Sequence, residues 1–220
     1  MPQVGPATPE VRFELPGWAI LWLELEVTGD SRAAAELLRG EIERIRQSGL
    51  QREEISQLPA IRELRRLFRE AGCDPTRYRP ASEALLRRVA KGQDIPSLHP
   101  LVDWNNALSL RLQVPCCVMA TGTFRPPFTW RAGRPGEAYQ SLRGPFALEG
   151  KPVLVDPEGP LDAPITGNER VAVRPDTRSA WLAAYLPVAA VGGDEAGAAA
   201  RELASRCPGI AVRLLGVAAP

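Results

Sequence analysis

The sequence is poor in lysine and in the residues that build metal sites. Its 220 residues include one histidine, four cysteines and only two lysines, so nearly all of the 27 basic side chains are arginines. The cysteines Cys73, Cys116, Cys117 and Cys207 lack the paired spacing of zinc ligands. We therefore expect reduced thiols, no metal and no cofactor.

Long apolar runs and nucleotide-binding motifs are also missing. No apolar stretch approaches the roughly 18 residues of a membrane-spanning helix, and the N-terminus lacks a basic segment followed by an apolar one. We therefore expect a cytoplasmic protein with no membrane partner. The G-x-G-x-x-G loop, the Walker-type loop and the G-x-S-x-G elbow are absent, which argues against nucleotide-dependent and serine-hydrolase chemistry.

The charge is balanced overall. A net charge of +1 produces no global field that would attract nucleic acid, so a polyanionic partner must be bound by a local patch. Arginine binds phosphate in a planar, two-point geometry that lysine cannot reproduce. The arginine bias of a GC-rich genome is the alternative explanation for this composition.

The order of helical and strand patterns indicates an α+β fold. Residues 1–10 are predicted to be a flexible N-terminal arm, and residues 11–220 a single domain with a mixed β-sheet and flanking helices. The apolar run at 18–27 predicts a buried strand, and Ser82 is the predicted N-cap of an arginine-rich helix. After Pro115, strands are predicted in the segments VMATG, FTWRAG, PVLVD, ERVAV, SAWLAAYLPV and IAVRLLGV, with an Ala-rich helix before the last of them.

Two motifs carry a family resemblance. They are Pro80–Arg88, PASEALLRR, which is followed by Gly92, and Val102–Asn106, VDWNN. Both resemble the B3/B4 tRNA-editing domain of the phenylalanyl-tRNA synthetase beta subunit and its free-standing relatives, most strongly over residues 61–186. The resemblance implies a B3/B4-like domain that hydrolyses the ester of a mischarged tRNA, as a trans-editing aminoacyl-tRNA deacylase in translation quality control.

The same resemblance implies roles for individual residues. Asn106 ends the V-D-x-x-N motif and would hold the ester and a water molecule, while Asn105 stands where the family often has Thr. Gly167, Glu169 and Thr177 match a later family segment with a glycine, a pocket glutamate and an Asp-Thr pair. Glu169 would read the amino-acid side chain, and Thr177 would act with Asn106 at the reaction centre.

The remaining implied contacts concern the tRNA and the substrate pocket. Arg87 and Arg88 would meet phosphates at the aminoacylated acceptor end of the tRNA. Cys117, shortly after Pro115, stands where synthetases have a histidine near the bound ester. In the family, synthetases edit tyrosine with this pocket. The change at Cys117, together with Asn168 in place of a glycine, indicates that the pocket of this chain holds a different amino acid.

Each assignment has a simpler alternative. Glu169 can be an exposed carboxylate beside Arg170, and the Arg87–Arg88 pair can be a salt-bridged helix surface. His99, next to Pro100 at the start of a helix, favours a structural role over acid-base chemistry. For the whole chain, the alternative is a non-catalytic module that binds tRNA ends or an amino-acid-like ligand, since binding tolerates losses that a reaction centre does not.

Overall fold

The apolar run at residues 18–27 forms the central strand of the protein's larger core. In the computed structural model, which describes residues 8–30 and 32–220, strand β2 (Trp18–Val27) is covered on both faces. Trp18, Ile20 and Trp22 face one apolar cluster, and the alternate residues Leu21 and Leu23 face a second. This two-residue alternation explains why the sequence reads as continuously apolar.

Strand β2 lies in a four-stranded antiparallel sheet. Its partners are β3 (Cys116–Ala120), β10 (Ser179–Pro187) and β11 (Ile210–Ala218), in the order β11-β2-β10-β3. Strand β3 is therefore at an edge. This edge position leaves β3 beside a cavity, to which it contributes Cys116.

A second sheet packs against the inner face of the first. Its five strands are ordered β1-β4-β7-β8-β9, with only the β1–β4 pair parallel. Aromatic rings join the sheets: Trp130 lies 5.1 Å from Trp18 and 4.8 Å from Tyr185, between ring centroids. The strands are β1 (Val11–Phe13), β4 (Phe128–Ala132), β7 (Pro152–Asp156), β8 (Gly159–Ala163) and β9 (Thr166–Gly167).

Five α-helices of the described residues cover the sheets. Helices α1 (Arg32–Gln47), α4 (Pro100–Leu112) and α5 (Gly193–Ser205) contribute to the cluster on the outer face of the four-stranded sheet. Helices α2 (Pro59–Glu70) and α3 (Ala81–Ala90) contribute to the cluster between the sheets. A separate hairpin is formed by β5 (Ala138–Ser141) and β6 (Gly144–Ala147). The predicted α+β class with a mixed sheet and flanking helices is confirmed.

Two local predictions are wrong. The segment ERVAV is not a strand: Asn168 accepts a hydrogen bond from the Arg170 N–H through its side chain and starts a 3-10 turn at Glu169–Val171. Ser82 does not cap its helix, because α3 begins one residue earlier, after Pro80. The Ser82 hydroxyl is instead fully buried, with no hydrogen-bond partner among the described residues.

The predicted N-terminal arm lies partly outside the described residues, which begin at Thr8. The Thr8 hydroxyl donates to the Leu215 carbonyl at 3.2 Å, and the Glu10 carbonyl accepts from the Phe128 N–H at 2.9 Å. The division into an arm and one domain stays a prediction. Within residues 8–30 and 32–220, no helix has both the length and the apolar character needed to cross a membrane.

Candidate functional site

A cavity of about 460 Å³ lies beside edge strand β3, between helices α3 and α4. Cys116 contributes from β3, and Ile165 from the turn between β8 and β9. The cavity is thus formed by the edge of the four-stranded sheet, the β8–β9 turn of the five-stranded sheet, and helices α3 and α4.

Six cationic side chains line this cavity, and we refer to it as the cationic cavity. No carboxylate is among its lining residues in the described part of the chain. Arg143 comes from the turn of the β5–β6 hairpin, two of the others come from α3, and two more lie within two residues of its ends. The arrangement is a local patch of positive charge on a protein whose net charge is close to zero. The six residues are Arg52, Arg79, Arg87, Arg88, Lys91 and Arg143.

Two amide side chains on α4 line the same cavity. The Asn105 side chain is nearly buried, and its Nδ2 donates to the Asn106 Oδ1 at 3.4 Å. The Asn105 Oδ1 has no hydrogen-bond partner among the described residues. A desolvated acceptor of this kind costs about 1–3 kcal/mol until a donor satisfies it. It is therefore a point at which a ligand can gain specific binding energy.

The predicted arginine pair lies at the wall of the cavity. Arg87 Nε donates to the Glu83 Oε1 at 2.8 Å, and Arg88 Nε donates to the Asp94 carbonyl at 2.7 Å. Arg87 also donates through Nη1 to the Arg52 carbonyl at 3.3 Å. The simpler interpretation holds for Arg87, which is salt-bridged to Glu83, whereas Arg88 bonds a backbone carbonyl. Both arginines also line the cavity, and their contact with tRNA phosphates stays a prediction.

Cys117 and Gly167 lie elsewhere, beside the buried carboxyl group of Asp162. The Tyr185 hydroxyl donates to the Asp162 Oδ2 at 2.7 Å, while Oδ1 has no partner among the described residues. Gly167 pairs with Asp162 across β8 and β9, and a Cβ added at Gly167 would lie 3.8 Å from Oδ1. The thiol of Cys117 also interacts with this carboxyl group.

Burial raises the pKa of Asp162 to about 7, although the Tyr185 and Cys117 groups act to lower it. Sequence reasoning missed this residue. The available signal was a single acid between apolar neighbours, Leu161 and Ala163, in a short segment that reads as a loop. The structure thus gathers two of the predicted substrate-binding residues around a carboxyl group that no motif identified.

Glu169 and Thr177 are not among the residues that line the cationic cavity. Glu169 is exposed, and its carboxylate lies 3.6 Å from Arg174 rather than beside Arg170. The Thr177 hydroxyl accepts from the Arg174 N–H at 2.8 Å, and Thr177 lines a different, more apolar cavity with His99. The structure therefore brings together Asn105, Asn106, Arg87 and Arg88, and leaves the other predicted residues outside this group.

The thiols and the histidine are not arranged for nucleophilic catalysis. Burial raises the pKa of Cys116, and burial together with Asp162 raises the pKa of Cys117, so both thiols are protonated at neutral pH. His99 Nδ1 accepts from the Leu101 N–H at 3.2 Å and caps α4, as its predicted structural role requires. Burial lowers the pKa of His99. In the described ranges, no cluster of three or more His, Cys, Asp or Glu side chains could hold a metal ion.

Comparison with known proteins identifies the family. The sequence matches the B3/4 domain family over residues 63–202. The chain belongs to the B3/4 domain family. The predicted resemblance is confirmed, and the match extends beyond the motifs into α5.

One solved structure similar to this chain is an N-terminal fragment of the phenylalanyl-tRNA synthetase beta-subunit from Pyrococcus horikoshii, with a TM-score of 0.48 and 14% identity. The alignment covers 96% of this chain and 52% of that one, so the chain spans about half the length of the fragment. No curated protein matches the sequence.

Proposed function

We propose that this B3/4 domain is a deacylase that hydrolyses the ester between an amino acid and the 3′ end of a mischarged tRNA, acting apart from a synthetase. The observation that carries the proposal is the cationic cavity, in which six cations surround the amides of Asn105 and Asn106. Guanidinium groups suit the phosphates of an acceptor end, and amides suit the ester and the amino acid.

The reaction needs little from the protein beyond positioning. Water adds to the ester carbonyl carbon, the bond to the ribose oxygen breaks, and a proton passes from the water to that leaving oxygen. The Asn106 amide would donate to the carbonyl oxygen as negative charge develops there, and the unpartnered Asn105 Oδ1 would accept from the amino group or the water. The surrounding cations also favour this developing charge.

A non-catalytic binding module is the second candidate. The observation that favours it is the absence of any carboxylate or imidazole among the described residues that line the cavity, so no lining side chain is a strong general base. Such a module would bind the same RNA ends without releasing the amino acid. The two functions therefore differ in turnover and not in the ligand.

A panel of tRNAs, each charged with its cognate and with near-cognate amino acids, tests the proposal. We expect selective loss of the ester for at least one mischarged tRNA. Asn106→Ala should lower the turnover rate about 100-fold, as removal of an oxyanion donor does, and leave binding of the uncharged tRNA within about twofold. Retention of every charged tRNA without hydrolysis would identify the binding module, and failure to bind any tRNA would reject both functions.

A further inference from the structure

Glu83 is a fully buried carboxylate that contacts three arginines behind the wall of the cationic cavity. Its Oε1 lies 2.8 Å from the Arg87 Nε and 4.0 Å from the Arg79 Nε. Its Oε2 lies 3.3 Å from the Arg65 Nε. We call these four residues the Glu83 cluster. One carboxylate thus faces three cations, which leaves an excess of positive charge at this place.

The two oxygens of Glu83 face different parts of the molecule. Arg79 and Arg87, on the side of Oε1, both line the cationic cavity, whereas Arg65, near Oε2, does not. The Arg87 guanidinium is held at two points, since it also donates to the Arg52 carbonyl. Glu83 itself is not a lining residue. It therefore acts on the cavity only through the guanidinium groups that it contacts.

We infer that Glu83 is a positioning residue that holds the guanidinium groups of Arg79 and Arg87 as a preformed pair for a phosphate group of the ligand. The inference rests on the proposed function, because it assumes that the cavity takes the phosphates of an RNA end. A free arginine side chain loses rotamer freedom on binding, and a tethered one has already lost it. A charge-assisted hydrogen bond to the buried carboxylate provides that tether for Arg87, and the ion pair at 4.0 Å keeps Arg79 beside it.

The sign of the effect separates positioning from simple electrostatics. Glu83→Gln removes one negative charge beside the cavity, so a role limited to the local field predicts tighter binding of an RNA. The glutamine also offers one acceptor oxygen in place of two and turns an amide N–H toward a guanidinium. The positioning role therefore predicts weaker binding despite the gain in positive charge.

The probe is an uncharged RNA minihelix with a single-stranded CCA 3′ end, and its Kd is measured by fluorescence anisotropy at several salt concentrations. We expect Glu83→Gln to raise the Kd about tenfold at moderate salt. The matched control is Glu41→Gln, because Glu41 is equally buried and also contacts three arginines, none of which lines the cationic cavity. Its Kd should stay within about twofold of the wild-type value.

The outcomes distinguish this inference from the proposed function. If the wild type does not bind the minihelix, the proposed function fails. If the wild type binds and Glu83→Gln binds equally well or more tightly, the inference alone is overturned. An equal loss in the Glu41→Gln control would also overturn it, since that result indicates a general structural effect.

Should Glu83→Gln fail to fold at the assay temperature, Arg87→Lys supplies the test. Lysine keeps the charge but lacks the fork that bonds a carboxylate and a phosphate together. The same rise in Kd is expected, and an unchanged Kd would reject the inference.

Discussion

Glu83 and Glu41 have nearly the same local environment in two parts of the molecule. Each is a helical glutamate that is almost completely buried and contacted by three arginines. Around Glu41 the cations come from α1, α4 and the residue after α5, so that carboxylate joins three helices. We call this group the Glu41 cluster; its arginines are Arg44, Arg111 and Arg206.

The two clusters differ in what the arginines do with their remaining donors. Arg111 of the Glu41 cluster also forms a salt bridge with Glu202, at 2.6 Å, so two carboxylates of the protein neutralise its charge. Two arginines of the Glu83 cluster line the cationic cavity instead. A buried carboxylate with arginines around it therefore does not by itself indicate a binding site. The difference lies in where each arginine directs the N–H groups that do not contact the glutamate. When they bond other helices the cluster joins helices, and when they face a cavity they are available to a ligand.

The buried carboxyl group of Asp162 differs from both clusters, because it forms no ion pair with an arginine of the described residues, and the change expected at this position is the largest. Its raised folded-state pKa, about 7 against 3.8, means that ionisation destabilises the fold as pH rises from about 4 to 7. At ~1.4 kcal/mol per pKa unit the difference reaches about 4 kcal/mol. Asp162→Asn should therefore be more stable than the wild type above pH 7.

Urea unfolding of both proteins at pH 5 and pH 8 measures this difference. The gap in unfolding free energy should be smaller at pH 5 than at pH 8, and it should vanish only below about pH 4, where the wild-type carboxyl group becomes protonated in both states. Equal stability at pH 8 would show that Asp162 is not held in an environment that resists its charge.

The cavity arginines give the second largest effect. Removing two cations by Arg52→Gln with Arg143→Gln should weaken minihelix binding about 30-fold, or ~2 kcal/mol, and reduce the salt dependence of the Kd. The control changes the net charge equally at the Glu41 cluster, by Arg44→Gln with Arg206→Gln, and should alter the Kd less than about twofold. Similar losses in both variants would mean that overall charge, and not the cavity, binds the RNA.

Glu41→Gln should destabilise the fold by about 1.5 kcal/mol at pH 7. Burial alone would raise the pKa of Glu41, but hydrogen bonds from Arg111 and Arg44 outweigh it and lower that pKa. The stabilisation is thus present above the unfolded-state pKa of about 4.5 and is lost as the pH falls below it. Thermal unfolding at pH 7 and pH 3 measures both values, and a constant difference between variant and wild type would contradict this account.

The smallest effect is expected at Glu169. The resemblance predicts that it reads the amino-acid side chain, whereas the structure gives it an exposed position beside Arg174 and outside the cationic cavity. We therefore expect Glu169→Ala to change the ratio of deacylation rates between amino acids less than about twofold. A large change in that ratio would restore the role that the sequence predicts, and would require this loop to reach the substrate.

The sequence predicts correctly those elements whose local residue pattern alone determines them. Strand β2 has apolar residues at every position that the two clusters require, and Pro100 starts α4 as its fixed backbone angle favours. The β5–β6 hairpin and β9 were missed. They are short and rich in Gly and polar residues, and long-range pairing determines them.

The predicted residues that share the cationic cavity lie on helices, and those that fall outside it lie on loops or strands. Asn105 and Asn106 lie in the middle of α4, so a motif on a regular helix fixes their direction. Glu169 lies in a 3-10 turn whose geometry depends on a hydrogen bond to the Asn168 side chain. The spacing of apolar residues in the sequence does not predict such a turn. The burial of Asp162 depends on Tyr185 from a distant strand, which no local pattern contains.

The residues that line the cationic cavity are spread from position 52 to position 165 of the chain. The last three along the sequence come from β3, the β5–β6 turn and the β8–β9 turn. During synthesis the amides and most of the arginines leave the ribosome well before Arg143 and Ile165 do. A nascent chain therefore carries most of its cavity-lining cations for some time without the enclosure that would orient them. The complete cavity forms late, as a property of the finished tertiary structure.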